Sequence, residues 1–389
     1  MAGAAEARWT DDFLDSMRDI GDPVADIAVA QVLRRGGIDE VNAAMHTLVR
    51  ADQQVPQELP EELKAYLAQT LELPAWADQD KIERGQQVFE KWGIYIALCL
   101  YCASLPSSYA AANGVQVLHL TARLDTDPQR RILETGQFLF DVLSDGGFGP
   151  NGKGRRTIQR VRLMHAAVRQ LIATRSETQP ELWKPEWGTP LNQEDLAGTL
   201  LAFSCVVIEP LRRLGVRLSK GDIEGYVHLW NVVGHLLGVR EDLLAADAEE
   251  ATALIGAIER RQFRKSDEGV ALTGALLKLL DELTPGYQFD DTIPGLVRHL
   301  IGEDTADLLK VPKSDTFDQL SFFARAVDWF LSHVLRRRER ELARYHLMST
   351  LARPFGIDLL RQIYTVQTRG KSAPFDIPDR LARRWELSP

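Results

Sequence analysis

The chain has 389 residues, 45% of them hydrophobic and 26% charged, with a formal net charge of −9. That length and apolar content suffice for a large buried core in one domain or two, and the ordinary share of charge excludes wholesale disorder. The acidic balance excludes a general nucleic-acid-binding role, and the N-terminal Met1-Ala2-Gly3-Ala4-Ala5-Glu6-Ala7-Arg8 lacks the apolar core of a secretory signal, which predicts a soluble, cytoplasmic protein.

Along the chain, helical periods dominate and strand signals are sparse, so the expected fold class is all-α. Residues 11–50 carry two helical patterns, punctuated by Gly21-Asp22-Pro23 and Gly36-Gly37. The acidic, proline-marked stretch from Pro56 to Pro74 holds one helix. Residues 80–103 form a longer one, which Leu105-Pro106 should end. Its apolar run from Tyr95 to Pro106 spans about a dozen residues, too short to cross a bilayer. Cys99-Leu100-Tyr101-Cys102 has Cys-x-x-Cys spacing, but Ala103 stands where covalent haem attachment needs histidine, and zinc would need a second pair. Two thiols within an apolar helical run read as packing.

Asp127-Pro128 has the character of an N-cap followed by a favoured first helical residue. The helix it opens carries Arg131, Glu134, Thr135 and Phe138 at i, i+3, i+4 and i+7, on one face. Such a face presents either a cation, a carboxyl and a hydroxyl to a ligand, or a solvated surface network. The glycine-rich loop Gly146–Gly152 delivers the chain to a second helix, where Ile158, Arg162, His165, Arg169 and Ile172 fall in one stripe. The flanking arginines disfavour the imidazolium, so His165 should stay neutral, the form that binds iron or zinc. Two guanidiniums on that face also suit a ligand with paired carboxylates, and haem combines both demands. A lone helical histidine is nonetheless more often a hydrogen-bonded core residue than a ligand.

Beyond a Trp- and Pro-rich connector from Trp183 to Pro190, Asn192 and Asp195 cap a helix running to Phe203. The apolar segment Ile223–Val239 carries His228 and His235 at i and i+7, either packed, or forming a second metal-binding face, or with one of them a distal neighbour of a haem. From about residue 316 the pattern is two helices and a Pro-rich tail, expected to pack on the core or form a homo-oligomer; its basic run Arg336-Arg337-Arg338-Glu339-Arg340, alternating with Glu339 and Glu341, reads as a solvated helix face, or else a membrane-surface or partner contact. There is no phosphate-binding glycine loop and no Gly-x-Ser-x-Gly nucleophile motif.

The ordered series Leu105-Pro106-Ser107-Ser108-Tyr109 through Leu118, Leu120-Thr121-Ala122-Arg123-Leu124, Arg130–Phe138 and Val161–Arg169 resembles the oxygenase family that includes latex-clearing proteins and the mycophenolic-acid-pathway oxygenase. The likeness spans roughly residues 85–310. It implies a globin-like helical core binding haem b without covalent attachment, between helical extensions at residues 1–80 and 316–389. By this resemblance His165 is the proximal iron ligand, and Arg162 and Arg169 hold propionates or fix the pocket. Arg131 and Thr135 match a distal arginine and threonine, and Arg298 a later arginine of the pattern. The implied reaction is oxidative cleavage of a C=C bond, or a related oxidation, in a small apolar, isoprenoid-like substrate with O2. A haem-binding sensor or carrier without turnover, or a helical interaction protein without haem, stands as the alternative.

One position departs from the family pattern, in which a lysine precedes the distal threonine: here it is Glu134. An acid in place of a base inverts the local charge and offers a different proton donor, so rubber cleavage need not carry over. A glutamate desolvated at such a site would have a raised pKa and serve as general acid or base.

Overall fold

Short polar side chains open the helices where the sequence places them. Thr10 accepts a hydrogen bond from the Phe13 amide and starts α1 (Asp11–Arg18), whose first turn carries Asp11 and Asp12. The computed structural model of the protein describes residues 8–50, 57–121, 128–149, 152–283 and 292–313. α2 (Pro23–Arg50) is two helices joined at Gly37, whose φ of 67° lies in the left-handed region. α3 is Glu61–Gln69. Asp78 caps α4 (Gln79–Cys99) by accepting from the Asp80 and Lys81 amides.

α4 does not stop at the Leu105-Pro106 breaker. It widens into a π turn, Leu100–Ser104, and continues as α5 (Leu105–Ala110). Pro106 lacks an N–H and needs room for its ring; the wider turn, closed by the Leu105 N–H donating to Leu100 O, accommodates it. The resulting Gln79–Ala110 span is long and apolar enough to cross a membrane by length and composition, contrary to the shorter run read from sequence, while 56% of its apolar window is buried within the protein.

α6 (Val115–Thr121), α7 (Pro128–Leu143) and α8 (Lys153–Thr178) follow. Asn192 caps α9 (Gln193–Phe203) by accepting from the Asp195 amide, as its sequence predicts. α10 (Cys205–Arg213) leads to α11 (Lys220–Leu236), where Ser219 and Asp222 form a reciprocal capping box. α12 (Ala248–Gln262), α13 (Asp267–Leu283), α14 (Thr292–Ile301) and α15 (Glu303–Leu308) complete the described chain. The fold is all-α; among the described residues the only β feature is an isolated bridge between Ala111 and Phe263. The Asp127 cap and the C-terminal region from 316, with its basic run, lie outside the described residues.

The main core gathers Phe89 and Ile96 of α4, Tyr109 of α5 and Leu229 and Trp230 of α11. α4 and α11 lie against each other at two glycines. A Cβ on Gly85 would stand 2.8 Å from Gly225 O and from the Leu229 Cβ, and one on Gly225 2.8 Å from the Arg84 Cβ. A second cluster packs α2 and α3 onto the other side of α8 through Val29, Val32, Tyr66, Leu163 and Ala167. Every cysteine is buried, and burial pushes the Cys102 and Cys205 thiols up to about 12, which keeps them protonated packing groups.

Gly85→Val should therefore cost at least about 1–3 kcal/mol through overpacking of the α4–α11 crossing. Urea unfolding measures it; a variant as stable as wild type would show that the crossing yields.

Candidate functional site

His165 lies half-buried on α8, with Nδ1 sealed from solvent. Its helical face stands at a junction in the core: Ile158 and Val161 belong to the main cluster, while Val168 and Ile172 pack with Val117 and Trp183 in a small one. α7 and α8 form a hairpin pinned near its closed end, where the Thr157 hydroxyl donates to Asp141 Oδ2 at 2.6 Å. At 1.5 Å rise per residue, Glu134 lies about 10 Å back along α7 and His165 about 12 Å forward along α8 from that pin. The hairpin thus brings Glu134, buried at 2% exposure, and half-buried Thr135 level with the His165 turn. One turn on, Phe138 meets the Trp230 ring at 6.4 Å. Arg131 belongs to α7, but its side chain lies outside the described residues.

The two arginines flanking His165 are held by acids that the sequence reading passed over. Arg162 forms a two-pronged pair with Asp22, Nε to Oδ2 at 2.6 Å and Nη2 to Oδ1 at 2.8 Å, and donates Nη1 to Leu236 O at 3.2 Å. Burial works against this guanidinium's charge, and the Asp22 carboxylate outweighs it, raising the arginine's pKa. Arg169 donates Nε to both Asp26 oxygens, at 2.9 and 3.0 Å, and Nη1 to Leu191 O at 3.0 Å. Burial pushes the Asp26 carboxyl up against the pull of Arg169. The fork of Arg162 is thus filled by Asp22, whereas Arg169 Nη2 is buried without a hydrogen-bond partner among the described residues.

Arg298 is engaged elsewhere. Its guanidinium binds Glu303, Asp307 and Val311 O, stapling α14 to α15 and the strand of chain beyond. That geometry engages all three nitrogens with local partners.

His228 and His235 also have their own occupation. His228 Nε2 accepts the Asp78 amide at 2.9 Å, His235 Nδ1 lies 3.5 Å from Glu241, and both rings meet the edge of Trp76, at 5.7 and 5.8 Å. They secure the segment before α4 rather than building a second metal face. Sequence reasoning also missed the buried network in which Glu194 accepts from Arg18 and Arg261 at 2.8 and 2.9 Å, tying α1 to α9 and α12.

The residues present fit a haem. The site supplies one imidazole at a break between apolar clusters and one buried, unfilled guanidinium N–H a turn away.

Comparison with known proteins bears on the whole core. Residues 87–332 match the family described as ER-bound oxygenase mpaB/B'/Rubber oxygenase, catalytic domain. A rubber oxygenase from Streptomyces sp. (strain K30) is 28% identical over 304 residues, which cover 77% of this chain and 73% of that protein. The structure of latex clearing protein LCP in the closed state superposes with a TM-score of 0.67 at 23% identity, covering 93% of this chain and 95% of that one.

Burial, reinforced by Lys81, holds the His228 imidazole below its ordinary range, against the opposing pull of Asp78. The folded state then binds fewer protons than the unfolded chain between that depressed value and about 6.5, so His228 stabilises fully above about 6.5 and loses this contribution as pH falls. Urea midpoints at about pH 7.5 and 5.5 should separate more in wild type than in His228→Gln; equal separations would remove His228 from the pH dependence.

Proposed function

The chain belongs to the ER-bound oxygenase mpaB/B'/rubber oxygenase family, and from that membership we propose that it is a haem b-dependent oxygenase acting on a small apolar, isoprenoid-like substrate with O2. The observation that carries this reading is His165, with its Nδ1 sealed, at the junction of two apolar clusters and level with Glu134 and Thr135. His165 would hold the haem iron as its protein ligand, and Arg169 Nη2 would meet a carboxylate.

When bound, haem would supply oxygen binding and activation, tuned by its protein ligand and by the polarity of the surrounding site. The chain's own work is to orient and exclude. Val161, Val168 and the α7 face provide apolar surface against which an alkene is held away from water. Thr135, and by the family pattern Arg131, would be the donors to a polar reacting atom. Glu134, buried on the same helix, holds or passes a proton at its carboxyl oxygen. Oxidative C=C cleavage giving carbonyl products is the reaction this arrangement suits, and with an acid in place of the family's lysine its proton handling need not follow that of rubber cleavage.

Oxygen-electrode assays of haemin-reconstituted protein with a panel of isoprenoid alkenes test the proposal. Substrate-dependent uptake is expected, with loss in His165→Ala and a fall of about 10²–10⁴-fold in Glu134→Gln. Haem binding without uptake on any alkene would leave a sensor or carrier, and unchanged turnover in Glu134→Gln would remove the acid from the chemistry.

A further inference from the structure

Asp22 and Asp26 lie one helical turn apart at the start of α2, well before the 87–332 span that matches the catalytic domain. Their partners Arg162 and Arg169 stand three residues before and four after His165. The geometry points to the corner from Gly21 to Asp26 as the positioning element of the His165 turn: its two carboxylates grip α8 on both sides of the histidine, making a segment outside the matched domain part of the functional site. Asp22 and Asp26 are positioning residues. The inference deepens the reading of His165 as the haem ligand and rests on it for its second half.

Three observations support the assignment. Each arginine joins three elements: Arg162 ties α8 to Asp22 and to Leu236 O at the end of α11, and Arg169 ties α8 to Asp26 and to Leu191 O before α9. The turn carrying His165 is therefore held against rotation and sliding by a two-pronged pair at Arg162 and a charge-assisted bond from Arg169 Nε shared between both Asp26 oxygens, and not by apolar contact alone. Each pair is also given room by a glycine. A Cβ on Gly21 would lie 2.7 Å from Arg169 Nε, and one on Gly238, whose φ is +85°, would lie 2.7 Å from Arg162 Nε and 2.5 Å from Asp22 Oδ2. Finally, the charges balance. The side chains of Asp22 and Arg162 are 4% and 10% exposed, so each is screened mainly by the other. Removing a carboxylate would leave an uncompensated cation one turn from the imidazole, which favours the ferrous over the ferric state.

The test uses the full chain with Asp22→Asn and Asp26→Asn, which keep shape while deleting charge. Glu194→Gln, whose carboxylate bonds Arg18, Arg261 and Gln262 and neither aspartate's arginine, serves as a control for loss of a buried acid. Amide hydrogen exchange over residues 158–172 is read without haem; haem loss to excess apomyoglobin and the ferric/ferrous midpoint potential are read with it. The proposal expects Asp22→Asn to speed local exchange and haem loss about 10–100-fold and to shift the potential positive, with Asp26→Asn in the same direction. Glu194→Gln should leave the potential and the exchange of that stretch at wild-type values. Wild-type exchange and haem loss in both aspartate variants would overturn it, as would an equal response in Glu194→Gln, which would reduce the pairs to general stabilisers. If the wild-type chain takes up no haemin, the haem reading fails while the exchange arm still decides whether the corner positions α8.

Discussion

Two buried arginines on α8 require two carboxylates, and the fold is arranged to bring them. An unpaired guanidinium at the 3% exposure of Arg169 or the 8% of Arg162 would be strongly disfavoured, and burying a pair gains little over apolar packing of the same volume. What such a pair does supply is direction. A fork accepts its carboxylate in few orientations, so α2, α8, α11 and the connector before α9 become mutually registered around one turn of helix. That turn carries His165.

The rest of the architecture follows from holding this turn between two apolar bodies. On one side α2 and α3 pack against Leu163, Ala166 and Ala167, small or branched residues that allow close approach. On the other, the α4–α11 pair, drawn together at Gly85 and Gly225, forms the main core that Ile158 and Val161 enter. α7 is returned beside α8 by a short loop and pinned by Thr157 and Asp141, which sets Glu134 and Thr135 at the height of the histidine. Helices alone can do this because each contact is a ridge, a glycine clearance or a fork, and none needs a sheet.

Local features were legible in the sequence because their causes are local. The Asn192 cap, the break at Gly37, the α7 and α8 stripes and the packed cysteines all rest on residues within a turn or two of one another. The His165 stripe could be drawn from period alone, and the ordered motifs resemble those of the family. Asp22 escaped notice because it sits 140 residues from Arg162, in a Gly-Asp-Pro string whose turn chemistry already explains it. Two arginines in a buried stripe were the available signal, since each demands a counter-charge somewhere. Pro106 misled for the opposite reason: a breaker is a local rule, and a π turn fed by tertiary packing overrode it. Arg298 resembles a later arginine of the family pattern, and its sequence neighbourhood did not reveal that acids five and nine residues onward hold it.

The most direct test of this account is an absorption spectrum of the haemin-loaded protein with a pyridine haemochrome assay and a His165→Ala control. The account predicts a Soret band of b-type character at one haem per chain in wild type and its loss in the variant. A colourless protein that takes up no added haemin, or a variant that keeps the wild-type spectrum, would contradict it.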